Sequence, residues 1–185
     1  MLKKYLILAI VFSLSSSSQI YSQLKSIEGL WTFEGGYTLL NASQTDASLN
    51  GYSFTVTYDQ INPGNELSGG VTFGYMRSTT TVDNEEYAYS SLPLILQGKY
   101  YLAKGSVPFY LQGGFGMHIS RLDRTTELLY LQFSDVGVVF NAGTGVLVPL
   151  GSDVYLSFSY QFNWYETTFY NDGMVHLFKL GFGFN

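Results

Sequence analysis

Cysteine is absent from the 185 residues, and that one absence closes several routes. No disulfide, thiol nucleophile or thiolate metal site can form, and no lipid-modified cysteine can follow an export signal. Charge is also scarce. Asp, Glu, Lys and Arg make up 12% of the chain, with nine basic residues against 14 acidic ones and a formal net charge of −5. Nucleic-acid binding needs basic surface to neutralise phosphates, so nucleic acid is not an expected partner. Two histidines, His118 and His176, are the whole supply of imidazole. Beyond residue 22 no apolar run reaches the roughly 20 residues that a membrane helix requires. Heptads and low-complexity linkers are missing as well.

What the chain does contain points to β structure in a single domain: 20 Gly, 16 Tyr and 14 Phe. The amino terminus stands apart. Lys3 and Lys4, the apolar run YLILAIVF and a small, polar stretch ending in IYSQ form the layout of a secretory signal peptide. Tyr5 to Leu14 is too short to span a bilayer. Cleavage is expected between Ser22 and Gln23, which leaves residues 23–185 as the mature domain. Losing the two leader lysines and no acid takes the formal charge from −5 to −7.

The stretch VYLSFSYQFNWY, Val154 to Tyr165, shows the pattern that recurs along the rest. Successive strand side chains point to opposite faces. Val154, Leu156, Phe158, Tyr160, Phe162 and Trp164 therefore form one face, and Tyr155, Ser157, Ser159, Gln161, Asn163 and Tyr165 the other. Eight such segments are expected: 29–40, 51–60, 67–77, 87–102, 107–120, 130–148, 153–165 and 174–184. Their connections alternate in length, with NPGN, AKGS and PLGS as short turns at one end. The longer connections 41–50, 78–86, 121–129 and 166–173 fall at the other. Short inner turns and longer outer loops on an even number of strands are the layout of an outer-membrane barrel.

The faces support the same expectation. Phe109, Leu111, Phe115, Met117 and Ile119 oppose Tyr110, Gln112, Gly114, Gly116 and His118. Met174, His176, Phe178, Leu180, Phe182 and Phe184 oppose Val175, Leu177, Lys179, Gly181 and Gly183. The apolar sets carry no Lys, Arg, Asp or Glu, as a lipid-facing wall demands, and the polar sets are expected in the lumen. Backbone groups in a membrane must all be paired, so closure is implied. The expected fold is all-β, an eight-stranded antiparallel up-and-down transmembrane β-barrel whose lumen is filled by side chains. A lipocalin-like soluble barrel would invert the faces.

Several residues then acquire expected roles. Glu34 and Lys179 point inward on the first and last strands, which become neighbours on closure. They form the leading lumen pair, with Lys99 near them and Gln112 and Gln161 completing a polar network. The pair could be a gate or a plug that satisfies buried charge. Lumen glycines Gly36, Gly70, Gly114, Gly143 and Gly181 make room for larger neighbours. Trp31, Trp164, Tyr52 and Tyr100 fit interfacial aromatic belts. Leu128 to Phe133 carries strand-like residues beyond membrane height, so the fifth and sixth strands offer an edge for β-strand addition to a surface or host protein. The outer connections together with the adjoining Asp135 and Arg77 hold nine acids against three bases, which would suit cation-bridged contact with lipopolysaccharide phosphates. No metal site or cofactor is expected within the chain.

The segments PLILQGKYYL, PFYLQGGFGMHIS, VGVVFNAGTGVLVPLGSDVYLSFSYQF and the terminal FKLGFGFN together resemble the small eight-stranded outer-membrane barrels of the OmpA transmembrane-domain, OmpX and opacity-protein kind. That resemblance implies residence in the outer membrane of a Gram-negative bacterium, among outer-membrane lipid and lipopolysaccharide. It also implies that Leu180, Phe182 and Phe184 resemble a recognition signal for the outer-membrane insertion machinery, although Asn185 follows the final Phe. The expected function is structural or adhesive, without enzymatic activity. The alternatives are a narrow porin-like channel and a lipid-modifying enzyme. A lipid A deacylase is also an eight-stranded barrel with a His, Ser and Glu set on its outer wall. Here GMVHLFKLG places no Ser near His176, and Glu166, Thr167 and Thr168 are loop neighbours alone.

Overall fold

Alternation of apolar and polar side chains produces strands wherever it occurs in this chain. The computed structural model describes residues 28–42, 48–61, 66–102, 109–126, 128–150, 153–166 and 173–184. The expected leader, residues 1–22, lies outside the described residues. The elements are β1 (Glu28–Ala42), β2 (Ser48–Ile61), β3 (Leu67–Val82), β4 (Glu85–Tyr101), β5 (Phe109–Thr125), β6 (Tyr130–Pro149), β7 (Val154–Tyr165) and β8 (Gly173–Phe184). Each pairs antiparallel with its neighbours, and β1 pairs with β8 from Trp31↔Phe184 to Ala42↔Gly173, closing the barrel. Closure gives every described strand a paired neighbour on both sides, the condition a bilayer imposes on strands.

The outward face is a band of large apolar side chains. Phe54, Phe73, Leu94, Leu96, Phe115, Met117, Phe178 and Leu180 are all exposed on it. Outward-facing Arg77 on β3 and Arg121 on β5 end their apolar stripes and mark the outer border of that band. No outward position between the two ends of the band holds a charge among the described residues. A basic residue there would cost roughly 2–4 kcal/mol at mid-membrane.

Two expectations require correction. The segment 78–86 is not a long outer loop. β3 and β4 continue past the border and meet at a two-residue turn, Asp83-Asn84, with φ of 52° and 65°. Positive φ at both central residues is the hairpin turn whose twist matches its strands, and Asp and Asn tolerate it better than other non-glycine residues. β5 and β6 likewise extend, to Thr125 and from Tyr130, with Thr126 hydrogen-bonded to Leu129 beyond them. Length that read as loop is therefore ladder: β3 to β6 rise together as a four-stranded spur, and β6 has 20 residues where β7 has 12. Connection length does not sort by end of the barrel; the extra strand length of β3 to β6 lies at the outer end.

The lumen, second, is not uniformly polar. Its outer part is closed by Leu40, Leu49, Met76, Tyr89, Ile95, Val139, Tyr165, Val175 and Leu177, all buried. A smaller cluster of Leu30, Tyr110 and Leu147, with Tyr101 and Tyr155 against it, lies toward the inner end. A barrel of eight strands has an interior that side chains fill, so its ends close best with the same apolar residues that fill any core.

Candidate functional site

The structure brings Glu34 and Lys179 together across the β1–β8 closure. Lys179 Nζ lies 2.7 Å from Glu34 Oε2, and both side chains are buried. Further hydrogen bonds come from two other strands, β7 and β2. Ser157 and Ser159 donate to Glu34 Oε1 at 2.6 and 2.9 Å, and Lys179 Nζ also donates to Thr55 Oγ1 at 3.1 Å. A buried ion pair is sustained when its leftover lone pairs and protons find such partners.

Lys99 does not join this group. It is buried in a second ion pair with Asp59, and its ammonium also lies 4.8 Å from the centre of the Tyr110 ring. Gln97 Nε2 donates to the other oxygen of Asp59 at 3.2 Å, and Thr72 Oγ1 donates to Gln97 Oε1 at 3.0 Å. Asp59, buried on the inward face of β2, is a partner not anticipated from the sequence. The reason Lys99 reaches it is Gly70. On β3, Gly70 pairs with Asp59 on one side and Gln97 on the other, and a Cβ there would lie 2.4 Å from Asp59 Oδ1. With no side chain on the intervening strand, residues of β2 and β4 meet across it.

The same device serves the first pair. Gly181 stands between Glu34 and Ser157, and a Cβ on it would come 1.8 Å from the Phe33 carbonyl oxygen. Ser157 thus crosses one strand to reach Glu34. Gln112 and Gln161, also expected in the network, lie buried on either side of Gly143. Neither is hydrogen-bonded to an ion pair among the described residues, and Gln112 Nε2 has no partner there.

The remaining expected residues, His118 apart, face outward. Trp31 packs on Tyr58 at 4.8 Å near the inner end, and Trp164 on Phe140 at 5.5 Å near the outer end. Tyr52 pairs with Tyr75, and the Tyr100 hydroxyl donates 2.8 Å to Glu66. Leu180, Phe182 and Phe184 lie exposed along the outward face of β8, with Phe184 opposite both Trp31 and Val154. His118 is buried in the lumen, its Nε2 3.1 Å from the Glu166 carbonyl and its ring edge-on to Tyr165. His176 faces outward with Nδ1 2.7 Å from the Tyr160 hydroxyl. Thr167 and Thr168 lie outside the described residues.

Above the band, the spur carries exposed groups. Arg124 makes a two-pronged contact with Glu85, with donor distances of 2.8 Å, and Tyr87 donates to the same carboxylate at 2.6 Å. The Arg124 hydrogen bonds hold the Glu85 carboxyl below its ordinary value of 4.5. Arg121 donates to Asp123 at 2.7 Å, which raises its own pKa, and both hydrogen-bond the Tyr130 hydroxyl. At the tip, Thr126 and Leu129 close the turn through three hydrogen bonds of 2.9–3.2 Å. Leu128 projects from it at 92% exposure, with Leu129 and Tyr130 also exposed.

A closed eight-stranded barrel with an uncharged apolar wall, aromatic residues at both borders and ion pairs sealed inside is the architecture of an integral outer-membrane β-barrel protein. No protein-family model matches the chain, and no curated protein matches it significantly. Solved structures do. The chain is similar to Neisserial surface protein A (NspA), at 14% identity and a TM-score of 0.67, over 86% of this chain and 99% of that one. It is similar to Ail, the attachment invasion locus protein of Yersinia pestis, at 13% identity and a TM-score of 0.56, over 85% and 98%. The outer-membrane enzyme PagL matches at 14% identity and a TM-score of 0.52, over 82% and 99%. These likenesses establish the small outer-membrane barrel fold, and a fold shared by surface proteins and an enzyme leaves the role to be argued from the site.

Proposed function

We propose that this is a non-enzymatic surface barrel of a Gram-negative outer membrane, whose β3–β6 spur engages a macromolecule outside the cell. The observation that carries this reading is the tip of β5–β6. Leu128, Leu129 and Tyr130 stand exposed beyond the border set by Arg77 and Arg121, on a turn closed by its own hydrogen bonds. Apolar side chains held in water outside the lipid band usually mark an interaction surface. On β6, Tyr130 to Gln132 pair with β5, and no described strand pairs with their second edge, which leaves backbone groups available for an added strand. One structural neighbour is an attachment protein and another a surface protein, which is consistent with the reading without deciding it.

The test compares adhesion to host-cell monolayers of bacteria displaying the wild-type barrel or the triple variant Leu128→Ser, Leu129→Ser, Tyr130→Ser at equal surface abundance. Loss of a few anchoring side chains is expected to lower adhesion by about tenfold. Unchanged adhesion, also after deletion of Leu122 to Gln132, would sink the reading.

Against hydrolysis stands the environment of His176: its Nδ1 is engaged by a phenol, and no described Ser or Thr hydroxyl is hydrogen-bonded to it. A nucleophile must lie within reach of its base. Against a channel stand the apolar clusters on the lumen axis. Planar-bilayer recordings of the reconstituted barrel are expected to be silent, and discrete openings would favour the channel instead.

A further inference from the structure

Within the lipid band, polar groups on the outward wall must satisfy themselves, since no water is present to do so. Thr144 does: its Oγ1 donates 2.9 Å to the Tyr110 carbonyl. His176 does so by half. It is the imidazole of the outward wall among the described residues, placed one outward position below Met174 at the outer end of β8. Its Nδ1 meets the Tyr160 hydroxyl. If the phenol donates to Nδ1, a single N–H remains at Nε2. If Nδ1–H donated instead, the phenolic proton and the Nε2 lone pair would both be left in hydrocarbon. The first arrangement leaves fewer groups unsatisfied, and it points one donor, Nε2–H, at the outer leaflet. No described residue hydrogen-bonds that nitrogen.

Below the pair runs an open groove of about 540 Å³. Tyr160 borders both features. Phe158, Phe178 and Leu180 form the groove walls, while Gly35 and Thr144 keep its floor low. A Cβ on Gly35 would meet nothing nearer than 3.9 Å, so the depression there opens to lipid rather than to a packed neighbour. At a rise of about 3.3 Å per residue and a strand tilt near 40°, His176 lies roughly 5 Å beneath the outer border, at the depth where acyl chains join their headgroups.

We propose that His176, Tyr160 and the groove form a binding site for one acyl chain of an outer-leaflet lipopolysaccharide. The ester or amide carbonyl of the chain accepts from His176 Nε2–H, and its methylenes lie over Gly35 and Thr144. Lipopolysaccharide is the committed occupant because the donor faces the outer leaflet and because its acyl linkages present several carbonyls at this depth. The inference is independent of the adhesive reading and stands if that one fails.

The test uses the full mature chain in nanodiscs of phosphatidylethanolamine doped with lipid A, with retained lipid counted by native mass spectrometry. Folding is checked by heat-modifiable migration. His176→Phe removes the donor and keeps an apolar ring; Gly35→Leu fills the groove from an open position; Phe115→Leu on another part of the wall is the control. Wild type and control are expected to retain one lipid A, and each test variant to retain it about tenfold more weakly, the scale of one hydrogen bond or of a comparable loss of contact. Retention unchanged in both test variants would overturn the site. Retention lost in Gly35→Leu but kept in His176→Phe would overturn the carbonyl contact, and equal retention of phosphatidylethanolamine would overturn the choice of occupant.

Discussion

Glu34–Lys179 and Glu85–Arg124 are both carboxylate–cation pairs at short range, 2.7 and 2.6 Å, and they are held in opposite surroundings. The first is sealed in the lumen and further hydrogen-bonded by Ser157, Ser159 and Thr55. The second stands on the spur in water, with the Arg124 and Glu85 side chains 41% and 27% exposed. Desolvated charge must be compensated wherever it is placed, while exposed pairs are screened and gain little. The barrel interior is therefore unforgiving of single substitutions, and the spur tolerates them. That difference leaves the spur free to vary with whatever it contacts.

The largest break in this comparison is expected from Lys179→Met, which strands a buried carboxylate and should lower unfolding free energy in urea titrations from lipid vesicles by about 3–5 kcal/mol. The double variant Glu34→Met, Lys179→Met should recover most of that loss, since an apolar pair of similar volume is often neutral. If the double variant is as unstable as the single one, the pair is doing more than compensating charge. Next comes Phe178→Lys, one residue away and facing lipid. A cost of roughly 2–4 kcal/mol is expected for a basic residue at mid-membrane, where Lys179 on the lumen side is accommodated.

Gly181→Ala tests the glycine that lets Ser157 reach Glu34. Its Cβ would press on the Phe33 carbonyl, and overpacking of this kind typically costs about 1–3 kcal/mol. Gly35→Ala on the outward face of the same region should be nearly silent, because its Cβ meets open space. The smallest effect belongs to Arg124→Ala. It should leave global unfolding unchanged and raise local amide exchange near Glu85. The pH dependence has a definite sign: the Glu85 carboxyl is held below 4.5 by Arg124, so the pair contributes above pH 4.5 and fades as pH falls through and below that value. Wild type and variant should exchange alike in strong acid.

The eight strands and their faces were legible because lipid forces an uncharged set onto every second residue of each membrane-crossing segment. Outside the membrane that constraint lapses. TTTVDNEE, Thr79 to Glu86, carries no apolar stripe, so a hairpin with its turn at Asp83-Asn84 read as loop. The Glu34–Lys179 contact could be anticipated because closure makes the first and last strands neighbours. The Lys99–Asp59 contact could not, since it skips a strand. Its signal was present in two pieces, an acid on β2 and a glycine on β3, and it is the register Asp59↔Gly70↔Gln97 that joins them. The apolar clusters at the lumen ends were missed for a related reason. Facing inward was equated with being polar, whereas Leu40, Leu49 and Val139 fill the barrel as they would any core.

The unequal strand lengths matter to anything that arrives from outside, such as an antibody or a phage tail fibre. A 20-residue β6 beside a 12-residue β7 gives the molecule a tall side, and β3 to β6 form it. Sera raised against whole cells are expected to concentrate on residues 83–86 and 126–131. Selection by whatever binds there would then drive change where it costs the fold least, while Gly70 and Gly181, hidden in the wall and tied to the ion pairs, would stay fixed across strains.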